Sequence, residues 1–374
     1  MRRVNIPLSI PKLGVQAGPA LGVALGPAPM LAGLALVALA AFLLSLAVGS
    51  VRIPLDEIVA VLLGGEASKT AWTTIVLKFR LPKALTAMLA GAALSVSGLQ
   101  MQTLFRNPLA GPFVLGISSG ASLGVALTVL LAGVAVGLGG STTLLAGISM
   151  AGDTGLALSA VLGSGLVLLL VMAVARRVQS GMTLLILGLM FGYTTSALVS
   201  VLIYFSVAER IQAYISWTFG SFGGVTWRQL QVMAPAILLG LAGGHLLMKP
   251  LNALLLGETY ALSLGLNVRR VRLGIIGSSA VLAGVVTAFC GPIGFLGIAV
   301  PHLCRSLLHS SDHRLLLPAV SFMGATLALG ADIVAGLPGS HLTLPLNAVT
   351  ALVGAPVVIW VILRQRNLRQ AFAG

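Results

Sequence analysis

Eight carboxylates are available for acid–base or metal chemistry in 374 residues: Asp56, Glu57, Glu66, Asp153, Glu209, Glu258, Asp312 and Asp332. The adjacent pair, Asp56-Glu57, falls in a loop, and no HExxH, CxxC, GxSxG or P-loop pattern accompanies it. Cys290 and Cys304 stand in apolar stretches without metal-ligand spacing, which reads as two small buried side chains. The pattern argues against an enzyme and calls for no metal or cofactor. An ion-coupled transporter would need protonatable groups inside spans, and only Asp332, His245, His302 and Asp153 come near. Asp332, inside the end of an apolar run, reads either as a proton or ligand site or as a structural residue bonded to a neighbouring helix.

The elements that must position these residues follow from composition. Hydrophobic residues make up 57% of the chain and charged residues 8%, with a mean hydropathy of +1.06. A soluble domain carries roughly 25% charged residues to cover its wet surface, so this surface faces lipid. Long apolar runs such as Met30–Val51 and Gly155–Ala175 lack the two-residue alternation of a barrel strand. An all-α polytopic membrane bundle is expected, because helices satisfy their own backbone hydrogen bonds in hydrocarbon. Ten spans are expected near 30–50, 82–103, 113–135, 155–175, 182–205, 229–248, 273–292, 294–309, 316–336 and 344–363. The eighth is short and Gly/Pro-interrupted, hence broken or partly re-entrant. Residues 211–228 read as a short interfacial helix and loop, with Tyr214, Trp217 and Trp227 as headgroup-level anchors.

Ten spans put both termini on one side. That side holds fifteen of the Lys and Arg residues and the other holds seven, which places the termini in the cytoplasm. The net charge of +14 then reflects basic loops at an anionic leaflet and no nucleic-acid partner. Residues 1–29 read as a cytoplasmic segment without a cleavable signal, 30–366 as the ten-helix membrane domain, and 367–374 as a cytoplasmic tail. Three of the seven outer cations, Lys78, Arg80 and Lys83, cluster against the topology rule. The longest inner polar stretch, 252–272, centres on Gly257 through Gly265. Glu258 near its start and Arg269–Arg272 at its end suit a pair of short helices, with Gly265 as a stop. Gly116, Gly120 and Gly124, spaced by four, suit one close-packed helix face, and Asn107-Pro108 with Gly111-Pro112 break the chain between spans two and three.

Four stretches, in order, resemble the permease subunit of type II ABC importers, the FecCD/BtuC-like family that imports iron–siderophore complexes, haem and vitamin B12. They are Arg80-Leu81-Pro82-Lys83 with Gly98-Leu99-Gln100-Met101-Gln102, then Arg106-Asn107-Pro108-Leu109-Ala110-Gly111-Pro112, then Leu256-Gly257-Glu258 with Ala261 and Leu264-Gly265. The fourth runs from Gly294-Phe295-Leu296-Gly297 through Pro301-His302, Arg305 and Asp312-His313-Arg314 to Ala331-Asp332-Ile333-Val334 and Gly354-Ala355-Pro356.

The resemblance implies a homodimer in the bacterial inner membrane, with two ABC ATPase subunits below and a periplasmic or lipid-anchored substrate-binding protein above. ATP hydrolysis would belong to the ATPase, and no cofactor is implied. Gly257, Glu258, Ala261, Leu264 and Gly265 would form the ATPase-coupling element. Arg80 and Lys83 would meet carboxylates of the binding protein. A further basic residue common just after the Ala-Asp-Ile-Val motif is Gly336 here, so docking would use fewer charges, or Arg210, Arg228 or His341 would substitute. Asn107, Pro108, Gly111, Pro112, Gly116 and Gly120 would line or support the pathway. His302, Arg305, Asp312, His313 and Arg314 would form a polar cap on inner helix ends, a reading that outweighs haem ligation by His302. An iron chelate is the expected cargo, with vitamin B12 the alternative and a proton-coupled transporter using Asp332 the competing class.

Overall fold

The structure, a computed structural model, describes residues 26–137, 152–178, 181–337 and 343–371. Most of the 1–29 segment, His341 and the side chain of Asp153 lie outside the described residues. All regular structure among the described residues is helical. In chain order it comprises α1 (Pro27–Ala47), α2 (Leu55–Leu62), α3 (Thr70–Thr74), α4 (Leu81–Phe105), α5 (Ile117–Gly137), α6 (Gly152–Ala175), α7 (Gly181–Tyr204) and α8 (Ala208–Thr218). There follow α9 (Trp227–Leu246), α10 (Met248–Leu255), α11 (Glu258–Ser263), α12 (Val268–Cys290), α13 (Leu296–Leu308), α14 (His313–Ala335) and α15 (Leu346–Ala371). Among the described residues seven helices are long and apolar enough to cross a membrane, and three shorter apolar helices accompany them, in keeping with about ten spans. Lys83 at the start of α4 meets Asp332 at the end of α14, while Thr103 near the end of α4 meets His313 at the start of α14. These two helices are therefore antiparallel, with an outer end at Lys83 and an inner end at Thr103.

At the centre stands α4, buried along nearly its whole length against α14, α12, α13 and α9. Hydrophobicity alone does not hold helices together in lipid, so packing and interhelical hydrogen bonds must. Both are visible here. A Cβ built on Gly98 would fall 1.8 Å from the Gly297 carbonyl of α13, and one on Gly91 would fall 2.1 Å from the Gly324 carbonyl of α14. The Ser97 hydroxyl donates to the Ser279 carbonyl at 3.0 Å, and Gln100 Nε2 donates to Ser278 Oγ at 3.1 Å, fastening α4 to α12.

Four expectations are corrected. Gly120 and Gly124 do face α6, where an added Cβ would strike Gly163 and Ser159 carbonyls, but Gly116 is not on that helix face. Gly116 ends the short Pro112–Leu115 turn at φ +74° and looks toward α7. Tyr214 is buried in a cluster with Ala121 and Val125 of α5, because α8 packs this ring against α5. Trp217 stacks on Tyr214, and Trp227 stays exposed with Nε1 donating to the Leu77 carbonyl at 2.8 Å.

The third correction concerns Arg269–Arg272. Asn267 caps α12, its Oδ1 accepting from Arg270 N at 3.1 Å. The cap pulls the basic run into the first turns of α12, the end where a helix dipole disfavours cations. The fourth concerns the eighth span. Pro301 lies inside an unbroken α13, and the interruption is the non-helical Gly291–Phe295 lead-in. At about 1.5 Å per residue, the 13 residues of α13 are too short alone for a core about 30 Å thick.

Candidate functional site

The inner end is built from short elements with fixed corners. After α10 the chain turns at Gly257, φ +120°, runs through the six-residue α11, and turns again at Gly265, φ +80°. Such angles are accessible to glycine and costly for side-chain-bearing residues. Ala261 is buried and anchors α11 to the bundle, while Tyr260, Leu262 and Leu264 project outward and are about half exposed. Arg272 offsets its unfavourable place in α12 through two contacts: Nη2 donates to Glu258 Oε1 at 2.8 Å, and Nη1 donates to the Val178 carbonyl at 3.2 Å. One buried guanidinium thus ties α11, α12 and the connection after α6 together.

Beside it lies the break after α4. Arg106 caps the helix in the left-handed region, φ 49°, and Asn107 Oδ1 accepts from Leu109 N at 2.9 Å. His302 Nε2 donates to the Pro108 carbonyl at 2.8 Å, so that nitrogen holds the break in place. Arg305 Nη1 donates to Gln102 Oε1 at 2.6 Å. Asp312 caps α14, accepting from Arg314 N at 2.9 Å and from Asn252 Nδ2 at 2.6 Å. The Arg314 N–H, with help from Asn252, holds the Asp312 carboxyl below the usual carboxylate range. His313 Nδ1–H donates to Asn252 Oδ1 at 2.7 Å, and its Nε2 faces the Thr103 hydroxyl at 2.9 Å, which also lies 2.9 Å from the Leu99 carbonyl. The five polar-motif residues are therefore brought together at one end, though Arg314 contributes its backbone. Pro112, Gly111, Gly116 and Gly120 are buried within the chain; Asn107 is half-buried and Pro108 exposed.

At the outer end several of the cations are engaged inside the chain. The Arg80 guanidinium donates to the carbonyls of Leu46 and Ala47, at 2.6 and 3.1 Å, and also to that of Val51. Lys83 Nζ stands 3.0 Å from Asp332 Oδ1, with the lysine side chain 36% exposed and the aspartate 8%. This pair separates two adjoining cavities of about 470 and 420 Å³, both also bordered by Gly336 and Thr343. Arg210 reaches the Val129 carbonyl at 3.1 Å. Lys78 makes no ion pair among the described residues.

Sequence reasoning missed Arg272, Asn252 and Gln102 as organising residues, and the partnership of Lys83 with Asp332. Their only signal was polarity in otherwise apolar surroundings. Among the described residues no group of three or more His, Cys, Asp or Glu side chains could hold a metal ion.

Comparison with known proteins narrows what this arrangement serves. A model described as the FecCD transport family matches residues 36–364. The vitamin B12 import system permease protein BtuC of Klebsiella pneumoniae is 40% identical over 335 residues, covering 90% of this chain and 93% of its own. That of an Escherichia coli strain is 39% identical over 292 residues, covering 78% and 84%. A solved chain described as an inward-facing conformation of a metal-chelate type ABC transporter superposes with a TM-score of 0.77 at 30% identity, covering 90% of this chain and 99% of that one.

Proposed function

Because this chain belongs to the FecCD transport family and is a multi-pass inner-membrane permease subunit of an ABC importer, we propose that its cargo is vitamin B12. The observation that carries the reading is 40% identity across 90% of the chain to a vitamin B12 permease. An iron chelate, siderophore or haem, is the second reading, favoured by the similarity to a transporter of metal-chelate type.

Two copies of the chain would enclose the path, with two ATPase subunits at the inner end and a binding protein at the outer. The chain itself would hydrolyse nothing. The element Gly257–Gly265 would dock on the ATPase, supported by its two left-handed corners and by the exposed Tyr260, Leu262 and Leu264 between them. Closure of the ATPase pair would then move α11 and, through Glu258 and Arg272, the inner end of α12, rocking one bundle against its copy. The residues from Gly111 to Gly120 would back the path wall, since most are buried within a single chain. At the outer end a binding-protein carboxylate would compete with Asp332 for Lys83, while Arg80, held by three carbonyls, would stiffen the rim. With no charge at Gly336, such docking would favour oriented encounter more than tight binding.

The test is uptake into proteoliposomes holding the permease with its ATPase and binding protein. ATP-dependent accumulation of labelled cyanocobalamin, uncontested by ferric siderophores or haem, is expected. Accumulation of iron chelates with cobalamin excluded would replace the first reading with the second.

A further inference from the structure

We infer that the inner end carries a carboxylate-binding cavity between Arg106 and Arg305, occupied in the assembled transporter by an acidic side chain of the ATPase. The inference rests on the coupling arrangement proposed above and adds to it a second, charged contact beside the short helix α11.

Charge accounting points to it. Among the described residues two ion pairs exist, Lys83 with Asp332 and Arg272 with Glu258. Arg305, partly buried in α13, joins neither; its one described hydrogen bond goes to the neutral Gln102 Oε1 at 2.6 Å. Gln102 is held in that orientation because its Nε2 donates to the Ile298 carbonyl at 3.2 Å. Arg106 also lacks a carboxylate. Its guanidinium leans over Gly257, where an added Cβ would sit 2.8 Å from Nη2. Nearby carboxylates are committed: Asp312 accepts from Arg314 N and Asn252, and Glu258 accepts from Arg272.

Both arginines line one cavity of about 280 Å³, completed by Gln102, Thr103, Pro108 and Leu255. A partly buried cation without an acid is costly to keep. Two arginines lining one space suit a carboxylate, whose paired oxygens a guanidinium fork can bind. The position selects its source. The cavity sits at the inner end of α4, the most enclosed helix of the bundle, and its walls come from α4, α10, α13 and the break after α4. Arg106, one of its lining residues, reaches Gly257 at the corner of α11. A partner docked on α11 would therefore lie beside Arg106.

The experiment measures affinity of the detergent-solubilised permease for its ATPase as a function of NaCl concentration. Arg106 is exposed, so Arg106→Ala should leave thermal stability intact. It should weaken binding about tenfold, equal to about 1.4 kcal/mol, and flatten the salt dependence. Arg305→Lys keeps the charge but loses the fork and should weaken binding less. Arg106→Glu should bind worst and recover when one ATPase acid, found by scanning its acidic residues, is reversed to Arg. Wild-type affinity and salt dependence in all three variants would overturn the assignment. So would a loss restored by anionic lipid and not by a reversed acid, which would put a headgroup in the cavity. If the unaltered chain fails to bind the ATPase, the coupling reading falls and this inference falls with it.

Discussion

The two ends of this bundle handle charge in opposite ways. At the outer end cations are drawn inward: Arg80 onto three carbonyls, Arg210 onto another, and Lys83 onto Asp332. At the inner end the acids are consumed in caps and ties, while Arg106 and Arg305 face a shared cavity without a carboxylate. The contrast teaches that positive residues in a membrane protein are not one class. A cation satisfied within its own chain ties elements together, and one without a carboxylate beside a turning element stays available to a partner. Counting Lys and Arg gives orientation, but only their acceptors separate these roles.

The comparison breaks most severely where the two ends are joined. Gly98→Val should cost at least about 3 kcal/mol, the upper end of overpacking penalties, since the obstacle 1.8 Å away is the Gly297 backbone. A fall in the melting temperature of the solubilised protein, with loss of transport, is the readout; unchanged melting would mean that α4 and α13 can separate cheaply.

A smaller effect sharpens the outer half. Lys83→Ala strands the mostly buried Asp332 and should cost about 1–3 kcal/mol, less than a fully buried pair because the lysine is one-third exposed. Adding Asp332→Ala should recover much of that loss. Additive losses in this double-mutant cycle would show that the two side chains do not interact.

The smallest effect belongs to the inner caps. Asp312 has a depressed pKa, so its contribution is present above the usual carboxylate range and is lost as pH falls through the folded value. Asp312→Asn can still cap α14 and should cost only a few tenths of a kcal/mol at neutral pH. Melting curves from pH 6 to 3 should fall more steeply for the unaltered chain than for this variant; parallel curves would remove Asp312 from the acid response.

Much of this was legible beforehand because lipid imposes a simple length rule. Each of the ten spans announced itself as an apolar run, and Gly257 and Gly265 announced corners that only glycine makes easily. What stayed hidden depends on which faces meet. Lys83 and Asp332 are far apart in sequence and near only because α4 and α14 run antiparallel. Tyr214 looked like an interfacial anchor because its composition matches one, and α8 turns it inward onto α5. Arg272 looked like part of a basic helix end, until the Asn267 cap placed it one turn inside α12. Local chemistry was readable; partnerships across the bundle were not.

The glycine contacts along α4 bear finally on how the molecule moves. Where Gly91 and Gly98 press against neighbouring backbones, there are no side-chain rotamers to freeze on packing and none to rotate under load. The interface gains closeness without conformational entropy, and it has little soft play. A push on α4 is therefore passed to α13 and α14 almost undiminished, as through a dry joint. Compliance is left to the corners at Gly257 and Gly265.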